Sequence, residues 1–465
     1  MKDNFPTRFA PFAERMKKEG LPSLFIETFA WYYRQLVEGV TGLIAELEIE
    51  PVTDLPDMEA LPLRLCQIGE EALARTAVIK LNGGLGTSMG LEHAKSLLPV
   101  KNGYTFLDII ARQAILRRVP LILMNSFATR QDSLAALKAY PELCGNIPLD
   151  FLQHKAPKIA QADLSPISWP ANPELEWCPP GHGDIYTALV TSGTLEKLVA
   201  AGYEYAFVSN SDNLGAVIDP LLLGYFVEQG FPFMMEVADR TEMDRKGGHL
   251  ARLENGRLVL RESAQCPPED KHHFQNIHRH RYFNTNNLWL HLPTLQQVMR
   301  ERNYRLGLPM IRNSKTVDPR DPTSPPVYQL ETAMGSAIAV FERAAAVRVP
   351  RTRFAPVKKT DDLLAVRSDA YVLTDDLHIE PSPEQQHQPV VITLDDRYYK
   401  FANDLDVRFP YGPPSLRHCT SLSIEGDFCF GQNVVCRGKV TLVNQTNEQV
   451  KIADGMVLEG EYQYG

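Results

Sequence analysis

The residues best suited to chemistry lie in one stretch, AVIKLNGGLGTSMGLEHAKSLLPV, over 77–100. A short apolar run turns into a loop with Gly83, Gly84, Gly86 and Gly90, and Lys95 follows. Four glycines in eight residues are costly to order unless backbone must approach something closely. Phosphate is the natural object of such a loop. Amides exposed after a strand cradle an anion, and a downstream lysine neutralises it. A P-loop needs GxxxxGK followed by Ser or Thr, and the loop has no Gly-Lys pair. The dinucleotide fingerprint needs GxGxxG, whereas Gly84, Gly86 and Gly90 spell GxGxxxG, and Asp108, at ribose-binding distance, falls inside an amphipathic helix. A nucleotidyltransferase loop holding a triphosphate is the leading reading, with the dinucleotide loop and a plain tight turn as the alternatives.

A second chemical residue is Asp212, which ends the apolar run YAFVSNSD. A carboxylate at the carboxyl end of a strand, facing a nucleotide, is a natural magnesium ligand. The alternative is a turn or helix-cap aspartate. The segment KHHFQNIHRHRYF carries His272, His273, His278 and His280 without the ligand spacing of a zinc site, and it reads as a mixed loop.

The elements that must position these groups alternate. AVIKLN, VPLILMN, LDFLQ and YAFVSNSDN read as strands; TFLDIIARQAILRR, TRQDSLAALKAY, DIYTALVTSGTLEKLVA and DPLLLGYFVEQ read as helices. That order predicts βαβ units and a mainly parallel sheet, whose ligands bind at the carboxyl ends of the strands. Residues 1–75 read as helical, with apolar residues at three- and four-residue spacing in FIETFAWYYRQLVEGVTGLIAELE. Asn255-Gly256 inside HLARLENGRLVLRE predicts a hairpin. Proline-rich loops follow at 319–327 and before residue 390. In the tail, Leu422, Phe428, Val434 and Val440 are six apart, as are Ile424, Phe430, Cys436 and Leu442. Two apolar rows at period six predict a parallel β-helix rather than a meander.

Composition narrows the partners. A net charge of −9 disfavours a nucleic-acid backbone as the main ligand. The seven cysteines include no CxxC pair, which reads as a reduced, cytoplasmic chain. No run of about 18 apolar residues predicts a membrane span, and the start lacks the pattern of a secretory signal.

LNGGLGTSMG followed by AKSLL resembles the signature of the eukaryotic-type UTP–glucose-1-phosphate uridylyltransferases. PPGHGDIY, SNSDNLGA, FNTNNLW, QLETAMGSAI and RFAPVKKTDDLLAVRSDAY resemble further blocks of that family, in the family's order. The resemblance implies an α/β fold with a doubly wound mixed sheet of nucleotidyltransferase type (Rossmann-like, GT-A-like). It implies an N-terminal helical segment over 1–75, a catalytic domain over 76–380, and a left-handed parallel β-helix over 381–465 through which copies self-associate in some branches. It implies UTP and glucose 1-phosphate as substrates, UDP-glucose and pyrophosphate as products, and Mg2+ as cofactor.

The roles it implies are specific. Leu81, Asn82, Gly83 and Gly84 meet base and ribose through backbone groups, and Gly86 lets the loop approach the phosphates. Lys95 meets the β- and γ-phosphates, and Lys358 the attacking phosphate and the α-phosphate. Gln153 reads the uracil edge, with a plain surface glutamine as the alternative. Gly181 and His182 lie between uridine and sugar, His182 as a hydrogen-bonding ligand rather than a general base. Asp212 holds the metal beside Asn210 and Ser211. Glu262, Asn284 and Asn286 hold glucose hydroxyls, each of which both donates and accepts. Where the family has KGPKS this chain reads EHAKS, so a phosphate role for position 92 stays open. Two alternatives stand beside this reading: a pyrophosphorylase for another sugar phosphate, and a non-catalytic nucleotide-sensing module.

Overall fold

Ten strands build the sheet that carries the site. The structure, a computed structural model, describes residues 5–385 and 389–465. The ten are β1 (Ile49–Pro51), β2 (Thr76–Asn82), β3 (Leu121–Asn125), β4 (Asp150–Leu152), β5 (Tyr205–Asn210), β6 (Phe233–Asp239), β7 (His249–Leu253), β8 (Leu258–Arg261), β9 (Tyr282–His291) and β10 (Ala345–Arg348). Their order is β1-β7-β9-β5-β2-β3-β4, with β8 beside β7, and β6 and β10 continuing from the other edge of β9. The strands β5, β2, β3 and β4 are parallel to one another. Helices cover both of their faces, which is why they read as unbroken apolar runs: all of β3 is buried, as is β5 up to Asn210. The long β9 runs antiparallel to β5, β6 and β7 and makes the sheet mixed.

Local chemistry fixes the helices between. Thr105 and Asp108 cap the helix Phe106–Arg117 reciprocally, and Asp108 also accepts from the Tyr140 hydroxyl at 2.7 Å. Asp108 is therefore a capping residue, which closes the dinucleotide reading. Asp219 caps Pro220–Gln229, which ends at the left-handed Gly230. The run 184–200 forms two helices, Ile185–Thr191 and Thr194–Ala200, because the backbone turns at Gly193 with φ +71°.

Residues 5–75 depart from the helical expectation at two places; the run 25–48 is α-helical only to Val37, because the backbone turns at Gly39 with φ +84° and at Gly42 with φ +72°. α1 (Phe5–Lys18) and α2 (Ser23–Val37) pack Phe12, Phe25, Phe29 and Tyr33 onto Ala156, Ile159 and Leu330. Ile49–Pro51, however, joins β7 as an edge strand.

The hairpin stands as expected: β7 and β8 pair antiparallel, and Gly256 takes φ +82° in the turn. The tail forms parallel sheets from Val391–Leu394, Ser415–Glu425, Val435–Asn444 and Val457–Tyr464, and from Phe428–Phe430 and Val450–Ile452. Leu422 pairs with Val440 and Ile424 with Leu442, eighteen positions on, and all eight residues of the two rows are buried. Their cluster is continuous with Met89, Leu98 and Phe106 behind the glycine loop and with Val357, Leu363 and Leu364. Residues 386–388, in the second proline-rich loop, lie outside the described residues. Among the described residues, no helix is long and apolar enough to cross a membrane.

Candidate active site

The site begins where β2 ends. Asn82 turns its side chain into the core, donating to Asn125 Oδ1 and Ser133 Oγ at 2.8 Å each, so the loop leaves the sheet from a locked residue. Ser126 Oγ donates to Gly83 O at 2.9 Å, and the Lys95 amide donates to Gly84 O at 3.1 Å. Gly86 has φ +68°, and a Cβ on it would lie 2.8 Å from Leu91 and 3.2 Å from the Lys95 stem. Glycine is required there by both conformation and space. Lys95 thus lies across the loop, and its ammonium meets Asp212 Oδ2 at 2.7 Å.

Asp212 comes from the adjacent parallel strand. After β5, Ser211 donates its amide to Leu81 O at 3.1 Å, holding Asn210 and Ser211 beside the loop. The Asp212 carbonyl accepts from the Val357 amide at 3.1 Å, which sets Lys358 next to the same carboxylate's segment. Lys358 is exposed, with Nζ over the Phe354 ring at 5.5 Å. Lys95 and Asp212 therefore meet at the carboxyl ends of β2 and β5, and the backbone before Lys358 is tied to the same place.

From Gly83 a chain of contacts leads away from the lysines. Gln153 Oε1 stands 3.0 Å from where a Gly83 Cβ would be, and its Nε2 donates to Gly181 O at 3.0 Å. His182 Nδ1 accepts from the Met334 amide at 3.0 Å. Burial pushes the His182 pKa down to about 4, so the ring is neutral with its proton on Nε2, a donor rather than a base. Gly335 leaves room for Asn284, whose Nδ2 would be 3.0 Å from a Cβ there. The Asn284 amide donates to Gly248 O, and a Cβ on Gly248 would lie 2.5 Å from Glu262 Oε2. Asn286 takes φ +61° in a bulge of β9 and receives a hydrogen bond from Asn284 Nδ2 at 2.8 Å. After glycine, asparagine takes this left-handed conformation most readily, and the bulge redirects its side chain. The arc from Gly83 to Glu262 is continuous.

This geometry meets a matching sequence record. The family described as UTP–glucose-1-phosphate uridylyltransferase matches residues 25–437. The chain belongs to that family. A UTP–glucose-1-phosphate uridylyltransferase of Solanum tuberosum is 40% identical over 398 residues, covering 84% of this chain and 81% of the relative. One of Saccharomyces cerevisiae is 40% identical over 395 residues, covering 83% and 77%. Among solved structures, a point mutant of UDP-glucose pyrophosphorylase from Leishmania major superposes with TM-score 0.93 at 42% identity over both whole chains. A second mutant of the Leishmania major enzyme, in complex with UDP-glucose, superposes with TM-score 0.91 at 43% identity, covering 98% of this chain and 99% of that one.

Beneath the site lie groups that the sequence reading missed. Glu236 is fully buried and accepts from Arg353 Nε at 2.7 Å, Asn287 Nδ2 at 3.0 Å and Trp289 Nε1 at 2.9 Å. Asn213 Nδ2 donates to Arg353 O at 3.1 Å, so the network braces the Asp212 loop. Its signal was a lone glutamate inside the apolar run PFMMEVA. The buried pair His154 and Asp184 was also missed.

Glu262 is the titratable group at the far end of the arc, where the family resemblance expects glucose hydroxyls. Burial pushes its pKa up to about 7. Above that value the ionised carboxyl costs the fold stability, and the cost is relieved as pH falls through 7 toward the ordinary glutamate range. A charged acceptor binds hydroxyls more strongly than a neutral one. The KM for a sugar phosphate is therefore expected to rise about fivefold between pH 8 and pH 6. Glu262→Gln should keep only the part due to the substrate's own phosphate. A wild-type profile no steeper than that of Glu262→Gln would exclude Glu262 from sugar binding.

Proposed function

We infer that this chain makes UDP-glucose and pyrophosphate from UTP and glucose 1-phosphate. The observation that carries the reading is the contact of Lys95 with Asp212 across the glycine loop, with the Val357 amide tying the Lys358 segment to Asp212 O. An oxygen of the sugar phosphate attacks the α-phosphorus in line, forming one P–O bond. The bond from that phosphorus to the bridging oxygen breaks, and pyrophosphate leaves with the electron pair. No enzyme nucleophile is needed. The protein aligns two polyanions and meets shifting charge.

Lys95 exchanges the Asp212 carboxylate for oxygens of the leaving pyrophosphate, and Lys358 holds the attacking phosphate against the α-phosphate. Leu81, Asn82, Gly83 and Gly84 seat the nucleoside through backbone groups, with Gly86 admitting the phosphates. His182 Nε2–H, Asn210 and Ser211 orient the sugar phosphate, and Glu262, Asn284 and Asn286 take the glucose hydroxyls. Asp212 would hold Mg2+. A single partly exposed carboxylate suits a cation that otherwise takes phosphate oxygens and water. Bound there, the ion supplies charge neutralisation between the phosphates. Residues 381–465 are read as a left-handed β-helix that adds no catalytic group and offers a surface for self-association. Residues 1–75 and 76–380 are read as the helical and catalytic units of a cytoplasmic enzyme.

An assay of pyrophosphate release tests the reading. UTP, glucose 1-phosphate and magnesium should support turnover, and Asp212→Asn should raise the magnesium requirement sharply. UTP should outrun ATP and CTP, because each unpaired polar group in the base pocket costs about 1–3 kcal/mol. Equal turnover of galactose 1-phosphate would assign a broader sugar range, and no turnover with any sugar phosphate would indicate the sensing module.

A further inference from the structure

We propose that His154 is a positioning residue for base selection, acting through Asp184 on the amide of Gln153. This rests on the reading that Gln153 faces uracil. A free glutamine amide discriminates poorly between uracil and cytosine. Turned one way it meets the N3–H of uracil with its oxygen, and turned the other way it meets N3 of cytosine with its NH2. Selection requires the amide to be held in one orientation.

The structure contains the device that holds it. Gln153 Nε2 donates to Gly181 O at 3.0 Å, and a carbonyl can only accept, so the NH2 end is committed to that side. Gln153 Oε1 is thereby turned toward Gly83. The lock is as firm as the position of Gly181. Thr332 holds one side of the turn around Gly181, its amide donating to Pro180 O at 3.0 Å and its carbonyl accepting from the Gly183 amide at 2.8 Å, and the next residue after Gln153, His154, holds the other. Its amide donates to Asp184 Oδ2 at 2.8 Å, its ring Nδ1 meets both Asp184 oxygens at 2.9 Å, and its Nε2 meets Thr191 Oγ1 at 3.1 Å. Asp184 and His154 are both buried, and Phe25 of α2 stacks on the His154 ring with centroids 4.2 Å apart. Adjacent residues of one strand end thus grip one turn at two points, 181 and 184. The His154 side chain touches no residue lining the arc directly; its effect reaches the site through the 181–184 turn, which carries both the carbonyl that holds Gln153 and His182.

His154→Leu removes both ring contacts at similar volume, and His154→Asn keeps an N–H near the place of Nδ1. In His154→Leu the ratio of kcat/KM for UTP over CTP should fall about tenfold, whatever the shift in KM for glucose 1-phosphate through His182 of the same turn, and His154→Asn should stay close to wild type. An unaltered ratio in a folded His154→Leu overturns the proposal. So does a rise in both substrates' KM at constant ratio, which is what a merely structural role would give. If His154→Leu does not fold, Asp184→Asn decides by the same ratio: a fall supports the proposal and an unchanged ratio overturns it. Wild-type enzyme that fails to prefer UTP would instead overturn the uracil role of Gln153 itself, and that outcome is read before any variant is made.

Discussion

Lys95→Ala is expected to lower kcat by about 10²–10³-fold while its unfolding midpoint stays near that of the wild type. The two halves of this result have separate causes. The ion pair with Asp212 is partly exposed, at 14% and 22% for the two side chains, and a pair of that kind contributes about 0–1 kcal/mol to the fold. The catalytic loss is larger on the proposed role, in which the ammonium meets charge that grows on the departing pyrophosphate. An interaction stronger in the transition state than in the ground state appears in kcat rather than in KM. Lys358→Ala should show a loss of the same order, since the Val357 amide ties its segment to Asp212 O. Single-turnover and steady-state rates of pyrophosphate release measure both. Wild-type turnover by Lys95→Ala would remove the phosphate role of the loop.

Arg353→Met should have the largest effect on stability, a loss of about 3–5 kcal/mol in chemical unfolding. Glu236 has no access to solvent and takes two hydrogen bonds from Arg353, at 2.7 and 2.8 Å. Without the guanidinium the carboxylate is an uncompensated buried charge. The double change Arg353→Met with Glu236→Gln should recover part of the loss, because the charge goes with its partner. Turnover should also fall well below the melting range, since Arg353 Nη2 donates to Val217 O and its carbonyl accepts from Asn213, on either side of Gly215 in the loop that carries Asp212. An Arg353→Met protein as stable as wild type would show that the buried pair contributes nothing net.

The parallel strands β2, β3 and β5 were legible in the chain because burial on both faces leaves unbroken apolar runs. The tail was legible because inward residues recur at six. Lys95, Asp212 and Lys358 stood out as family blocks, and the parallel pairing of β2 with β5 accounts for the contact of Lys95 with Asp212. Ile49–Pro51 was not, since a three-residue strand carrying a proline has no period to detect. Nor was the break at Gly193, because apolar spacing continues across it. His154 and Asp184 are thirty positions apart, on a strand end and a helix start, and no local pattern links such residues. Glu236 did leave a trace, as a single charge interrupting an apolar run.

The contact at Gly90 bears on how this chain could be recombined with its relatives. Gly90 has φ +73°, and the ring of Phe401 occupies the space a Cβ would need, 2.8 Å away. Phe401 belongs to the tail, yet it forms the backing of the glycine loop. A chimera joined near residue 381 would therefore graft a foreign surface directly behind Gly90. Such a hybrid could keep every substrate-facing residue and still present the loop at the wrong height. Crossovers that preserve function should carry residues 83–100, 354–367 and 396–409 from the same parent.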